Sequence, residues 1–152
     1  MKLAEALLVR ADQKKKILSL QGRIVKNALI QEKSKPLEDV TVLIRDCFMV
    51  IAEQKALILR IDAANASGKL SDGRPLPEAL AERDVHIQQH ATLKQAVEAA
   101  QKEVERYSPR ELKWLPQIDV SATQKQMEDL ARKIRDLNVR IQEANWRIDM
   151  PE

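Results

Sequence analysis

Two histidines stand four residues apart in the stretch HIQQH, so any helix through it carries His86 and His90 on one face, with Glu82 a further turn back. Imidazole and carboxylate groups in such a row form a possible edge for zinc or another divalent ion. The chain supplies no HExxH and no repeated Glu-x-x-His to complete the coordination. Solvated or interfacial histidines are therefore the preferred reading, with a divalent-metal-binding bundle kept as an alternative. A second constellation, Lys14, Lys15 and Lys16 with Arg23 and Lys26, offers charge to phosphates or to an anionic lipid surface. No aromatic side chain interleaves with these cations, which disfavours nucleic acid as a partner. A membrane-active, cytolysin-like protein working through the basic first helix stays as the other alternative. Cys47 is the only cysteine, so an internal disulfide and a cysteine-rich zinc site are excluded. With no Ser/His/Asp spacing and no Gly-rich phosphate loop, the chain reads as non-enzymatic and no cofactor is expected.

Helices must position these groups. Hydrophobic residues make up 44% of the 152 residues and charged ones 32%, whereas there are only three glycines, which leaves little material for a sheet-rich fold. The net charge of +3 is unevenly spread, because the first 35 residues hold nine Lys and Arg against three Asp and Glu. The opening MKLAEALLVRADQKKK is interrupted by Glu5 and Asp12, and no run of apolar residues reaches membrane-spanning length. A cytoplasmic location is the expectation.

Helical periodicity covers residues 2–31, 37–66, 77–107 and 121–148. The first carries two adjacent seams, Leu3, Leu7, Ile17, Ile24 and Ala28 beside Leu8, Ala11, Leu18, Val25 and Leu29, which predicts a wide buried face. The second follows Val40, Ile44, Cys47, Ile51, Ile58, Ile61 and Asn65, with Gln54 interrupting, and places Cys47 in the core. The third, from Pro77, has the weak seam Leu80, Arg83, Ile87, Lys94, Val97 and Val104. The fourth has the most regular heptad, Met127, Leu130, Ile134, Leu137, Ile141, Ala144 and Ile148, with Asp119 or Ser121 as its cap. Asp72-Gly73 predicts a very small hairpin over residues 69–76. In RYSPRELKWLPQID, Pro109 and Pro116 break the last two helices apart, and Ser108, Pro109 and Glu111 could cap a single turn. The fold class expected is all-α, an elongated, coiled-coil-like antiparallel bundle of four long helices in a single domain over residues 1–152.

Laid up and down, the four helices would gather Arg10, Asp12, Asn65, Arg83, Asp84, Asn145 and Trp146 at one pole. Arg83 and Asp84 pairing with Asp12 and Arg10, with the asparagines fixing register, is the preferred reading of that pole. A site for an anionic or planar ligand, with Arg10 and Arg83 as charge and Trp146 as a stacking surface, is the sharper one.

DGRPLPEALAERD, RYSPRELKW and the final VSATQKQMEDLARKIRDLNVRIQEANW, with the opening MKLAEALLVRADQKKK, resemble the septicolysin-like family of small bacterial proteins along nearly the whole chain. The matching positions are Asp72, Gly73, Arg74, Leu76, Glu78, Ala79, Leu80, Arg83 and Asp84, then Arg106, Tyr107 and Glu111, then Asn145 and Trp146. Prolines at 75 and 77 depart from the family pattern. The resemblance implies a helical fold and a multi-subunit assembly, and it implies no activity. The expectation is a self-assembling helical protein, a homo-oligomer, with the ligand of any polar pole site unassigned.

Overall fold

The computed structural model describes residues 1–102 and 112–150. Four helices run in chain order, α1 Leu3–Asn27, α2 Val40–Ser67, α3 Leu76–Ala100 and α4 Val120–Arg147. The only other regular pairings among the described residues are two isolated antiparallel bridges, Lys2 with Asp149 and Lys69 with Pro75. The all-α class expected from composition is the class observed. The chain divides into two compact units, one of Met1–Gly68 with Glu143–Glu152 and one of Lys69–Gln142.

The first unit is built on the antiparallel pair α1 and α2. Asp39 starts α2 by accepting the N–H groups of Thr41 at 2.9 Å and Val42 at 3.3 Å, two donors that the first turn would otherwise leave unpaired. The pair closes where Leu20 of α1 meets Leu43, Cys47 and Val50 of α2, with Ile17 and Ile24 packed around them. That register brings Leu3 and Ala6 of α1 to the level of Ile61 and Ala64 of α2, and all four are buried. Gln13 and Gln54 fall level with each other between these two apolar layers, and the side-chain oxygen of Gln13 is buried without a partner. The chain ends join this unit through Leu3 N–H donating to the Ile148 carbonyl and Met150 N–H to that of Met1, both at 2.9 Å.

Helix α1 stops at Asn27, four residues before the expected end. Asn27 Nδ2 donates to the Arg23 carbonyl at 2.8 Å, a local side-chain bond that competes with continued helix. The Arg23 guanidinium also reaches Glu38, in the residues after the helix, through Nε at 3.0 Å to both carboxylate oxygens. Within that connection Ser34 N–H donates to the Gln31 carbonyl at 3.0 Å, and Lys33 takes a φ of 66°, as the third residue of a type II turn requires.

In the second unit, residues 69–75 form the small hairpin that Asp72-Gly73 predicts. Leu70 N–H donates to the Arg74 carbonyl at 2.8 Å, Gly73 N–H to the Leu70 carbonyl at 3.0 Å, and Arg74 N–H to Asp72 Oδ1 at 3.0 Å. A turn followed by a left-handed glycine, Gly73 at φ 87°, is the usual way to close a three-residue hairpin loop. Leu70 and Leu76 on its flanks are buried. Asp119, one of the two caps expected for α4, is the residue used, accepting the Ala122 N–H at 3.0 Å.

α3 and α4 run antiparallel, since Arg74, Glu82 and His86 lie across from Lys133 to Arg140 while Ala96 to Ala100 lie across from residues 114–118. Along α4 the expected heptad is the inward row, with Leu130, Leu137, Ile141 and Ala144 buried. Along α3 it is so only in part: Val97 is buried and Leu80 and Arg83 are half-buried, but Ile87 and Lys94 are exposed, and the inward row is Leu76, Ala79, His86, Leu93 and Val97. Ala79 and His86 carry little hydropathy contrast, so the large apolar Ile87 drew the expected seam one residue off in the middle of the helix. The expected continuation of α3 to residue 107 and the cap at Ser108, Pro109 and Glu111 lie outside the described residues.

Gly73 has nothing within 4 Å of where a Cβ would stand, so strain at positive φ is the whole cost of adding one. Gly73→Ala should lower stability by about 1–2 kcal/mol with no loss of helix, measured by urea unfolding followed at 222 nm.

Candidate functional site

The residues expected at one pole are divided between the units. Arg10, Asp12, Asn65, Asn145 and Trp146 belong to the first and Arg83 and Asp84 to the second. Their ion pairs are local: Arg83 donates to Asp84 at 3.1 Å, and Asp12 receives Lys15 at 3.6 Å. Asn145 is buried and Trp146 about half exposed, at 54%. Arg106, Tyr107 and Glu111, which carry part of the septicolysin-like resemblance, lie outside the described residues.

Of the basic residues on α1, Arg23 is committed to Glu38 and Lys15 to Asp12, while Lys14, Lys16 and Lys26 are exposed. Among the described residues no helix is long and apolar enough to cross a membrane. The row Glu82, His86 and His90 is not gathered as a ligand set, and among the described residues no group of three His, Cys, Asp or Glu could hold a metal ion. Glu82 is instead paired with Arg74 and lies 3.5 Å from His86 Nε2, whereas His90 lines a separate cavity with Met127 and Glu128.

A concentration of polar groups lies in the second unit. Arg74, Glu82, His86, Lys133, Asp136 and Arg140 wall a cavity of about 280 Å³, with Leu137 as its apolar contact. The hairpin builds one side. Asp72 holds the turn through the Arg74 N–H and also lies 3.4 Å from Arg140 Nη1 and 4.0 Å from Arg74 Nη2, so one carboxylate tethers two guanidinium groups. Arg74 donates in addition to Glu82, nearly two turns into α3. His86 Nδ1 stands 3.2 Å from Gln89 Oε1, and its side chain is largely covered, at 15% exposure. Lys133 also borders a larger cavity of about 610 Å³ that runs on between α3 and α4 past Val85, Leu93 and Leu130. Sequence reasoning singled out Asp72, Arg74, Glu82 and His86 for other reasons and missed Lys133, Asp136 and Arg140. These three sit at i, i+3 and i+7 on α4, one step round from its apolar heptad, a spacing that marks a common face.

The fold is thus an all-helical one, with a walled cluster of polar side chains in its second unit. The chain belongs to a family of unknown function (DUF6847), which matches residues 10–150. It is similar over 99% of both chains to a functionally unknown conserved protein from Corynebacterium diphtheriae, with a TM-score of 0.89 and 26% identity. No curated protein matches the chain.

Two exposed ion pairs in the first unit set a pH dependence. The hydrogen bond from Arg23 holds the Glu38 carboxyl below its ordinary range, and that from Lys2 does the same for Asp149, at 2.8 Å. Both pKa values fall on folding, so their contribution is complete above the ordinary carboxylate range and is lost as pH falls through the depressed folded values. Carboxyl titration by NMR should find both groups deprotonating at lower pH than free glutamate and aspartate, and Arg23→Gln should return Glu38 alone to the usual range.

Proposed function

We propose that the protein is a self-assembling helical scaffold in which the α1 and α2 pairs of two copies join through an apolar face. The observation that carries this reading is the second seam of α1. Its first seam packs on α2, but Leu8, Leu18 and Val25 are exposed at 60%, 60% and 77%. With Ala11, Lys15 and Gly22 they continue an unbroken alternation of three and four residues. Helix α2 repeats the arrangement. Its inward row is Leu43, Cys47, Val50, Leu57, Ile61 and Ala64, and one residue further on lie the exposed Ile44, Phe48 and Ile51, of which the sequence pattern places Ile44 and Ile51 in the buried seam.

Leu18 and Val25 follow the inward Ile17 and Ile24 by one residue, as Ile44, Phe48 and Ile51 follow theirs, a rotation of about 100° that in an antiparallel pair turns both helices toward the same side. These five side chains therefore share one face, whereas Leu8 lies on the far side of α1. The five large side chains on it expose roughly 500 Å² of apolar surface, toward the upper end of what a lone monomer carries. Two copies facing each other would cover about 1,000 Å² from these side chains alone, the lower limit for a specific interface. A second copy fits because its own face has the same heptad spacing, so the four helices complete a bundle of ordinary geometry. The septicolysin-like resemblance, with its implied multi-subunit assembly, supports the same reading.

Light scattering of the purified protein at tens of micromolar should give at least twice the chain mass. Leu18→Glu and Phe48→Glu, both at open positions, should each reduce it to the mass of one chain without loss of helical signal. A wild-type protein with the mass of one chain overturns the assembly.

A further inference from the structure

We propose that the cavity between the 69–75 hairpin, α3 and α4 binds a small zwitterion of the amino-acid type, with its carboxylate on Lys133 and Arg140 and its ammonium on Asp136. The cavity leaves two of its charged groups unpaired among the described residues. Arg74 is satisfied by Glu82 and Asp72, and His86 lies between Glu82 and Gln89. Lys133 and Asp136 face the same cavity and have no partner among the described residues. They are one turn apart on α4 with the cation first, the weaker order for pairing along a helix. One free ammonium and one free carboxylate on a single wall match a ligand that carries both charges, and a simple anion would leave Asp136 repelling it.

Arg140 supplies the second donor for the carboxylate. Its guanidinium is held near 3.4 Å from Asp72 without being enclosed, so it is preorganised yet able to share its remaining N–H groups. Size sets the class as well. About 280 Å³ lies just below the usual range for drug-sized ligands, which suits a molecule of a few heavy atoms. Leu137 is the sole apolar contact on the wall, so the ligand's own side chain is small or polar. The site lies wholly in the second unit and is independent of the assembly face, so failure of either proposal leaves the other standing.

The test is titration of the full chain, labelled with nitrogen-15, with L-glutamate, glycine and sodium acetate at matched ionic strength. Saturable shifts of the amide signals of residues 133–140 are expected with both amino acids, at affinities at least tenfold above that for acetate. Lys133→Met should weaken amino-acid binding about tenfold or more. Asp136→Asn should abolish the preference over acetate while leaving acetate binding unchanged or stronger. Both positions are exposed on α4, and an unchanged spectrum elsewhere verifies folding. The proposal is overturned if no probe gives a saturable shift up to 50 mM (roughly the weakest useful affinity, by the 1.4 kcal/mol per decade relation). It is equally overturned if acetate binds as well as the amino acids, or if neither variant changes their binding.

Discussion

Helix ends carry backbone groups that the helix itself cannot pair, and in the first unit two such ends satisfy each other. Leu3 N–H, at the start of α1, has no intrahelical acceptor, and the Ile148 carbonyl, just past the end of α4, has no intrahelical donor; they meet at 2.9 Å. Lys2 Nζ adds a bond to the Arg147 carbonyl at 3.3 Å and an ion pair to Asp149, while Lys2 N–H is taken by Glu5. This clasp buries Leu3, Ala4 and Ala6 at one extreme of the chain and Ala144, Asn145 and Met150 at the other. Without it, the first turn of α1 would have apolar side chains and open donors but nothing to cover either.

With the ends fixed, the rest of the α1 and α2 pair follows from one repeat. A single row of apolar residues from each helix is enough to hold two helices together, and Leu20 against Cys47 is that row at work. The chain encodes a second row on each helix, and the second row has no cover within its own unit. Gln13 and Gln54 interrupt the inner row at the same level, so the pair has a polar layer that penalises a slipped register, as buried polar residues do in coiled coils.

Much of this was legible in the sequence because it rests on local rules. The fourth helix has large aliphatic residues at nearly every inward position, and its heptad gives the buried row directly. Asp72-Gly73 specified the hairpin because few residues tolerate the left-handed conformation found at 73. α3 was misread where its inward row is carried by Ala79 and His86 and its outward one by Ile87. The clasp left no sign at all, since Leu3 and Ile148 are joined through backbone atoms that every residue possesses. The polar cavity was half legible: Asp72 stood out in the turn and Arg74 only through the family resemblance, but Lys133, Asp136 and Arg140 look like any solvated helix face until the hairpin is placed beside them.

The way the first unit is assembled from the two extremes of the chain bears on how it folds. Residues 69–142 form a compact unit from one continuous segment, which can condense without either end of the first unit. The first unit needs residue 3 to meet residue 148, so its closure carries the loop entropy of about 145 intervening residues unless those residues have already condensed. Condensation of residues 69–142 before that closure removes much of this entropy, because a folded insert counts as a far shorter loop than the open chain.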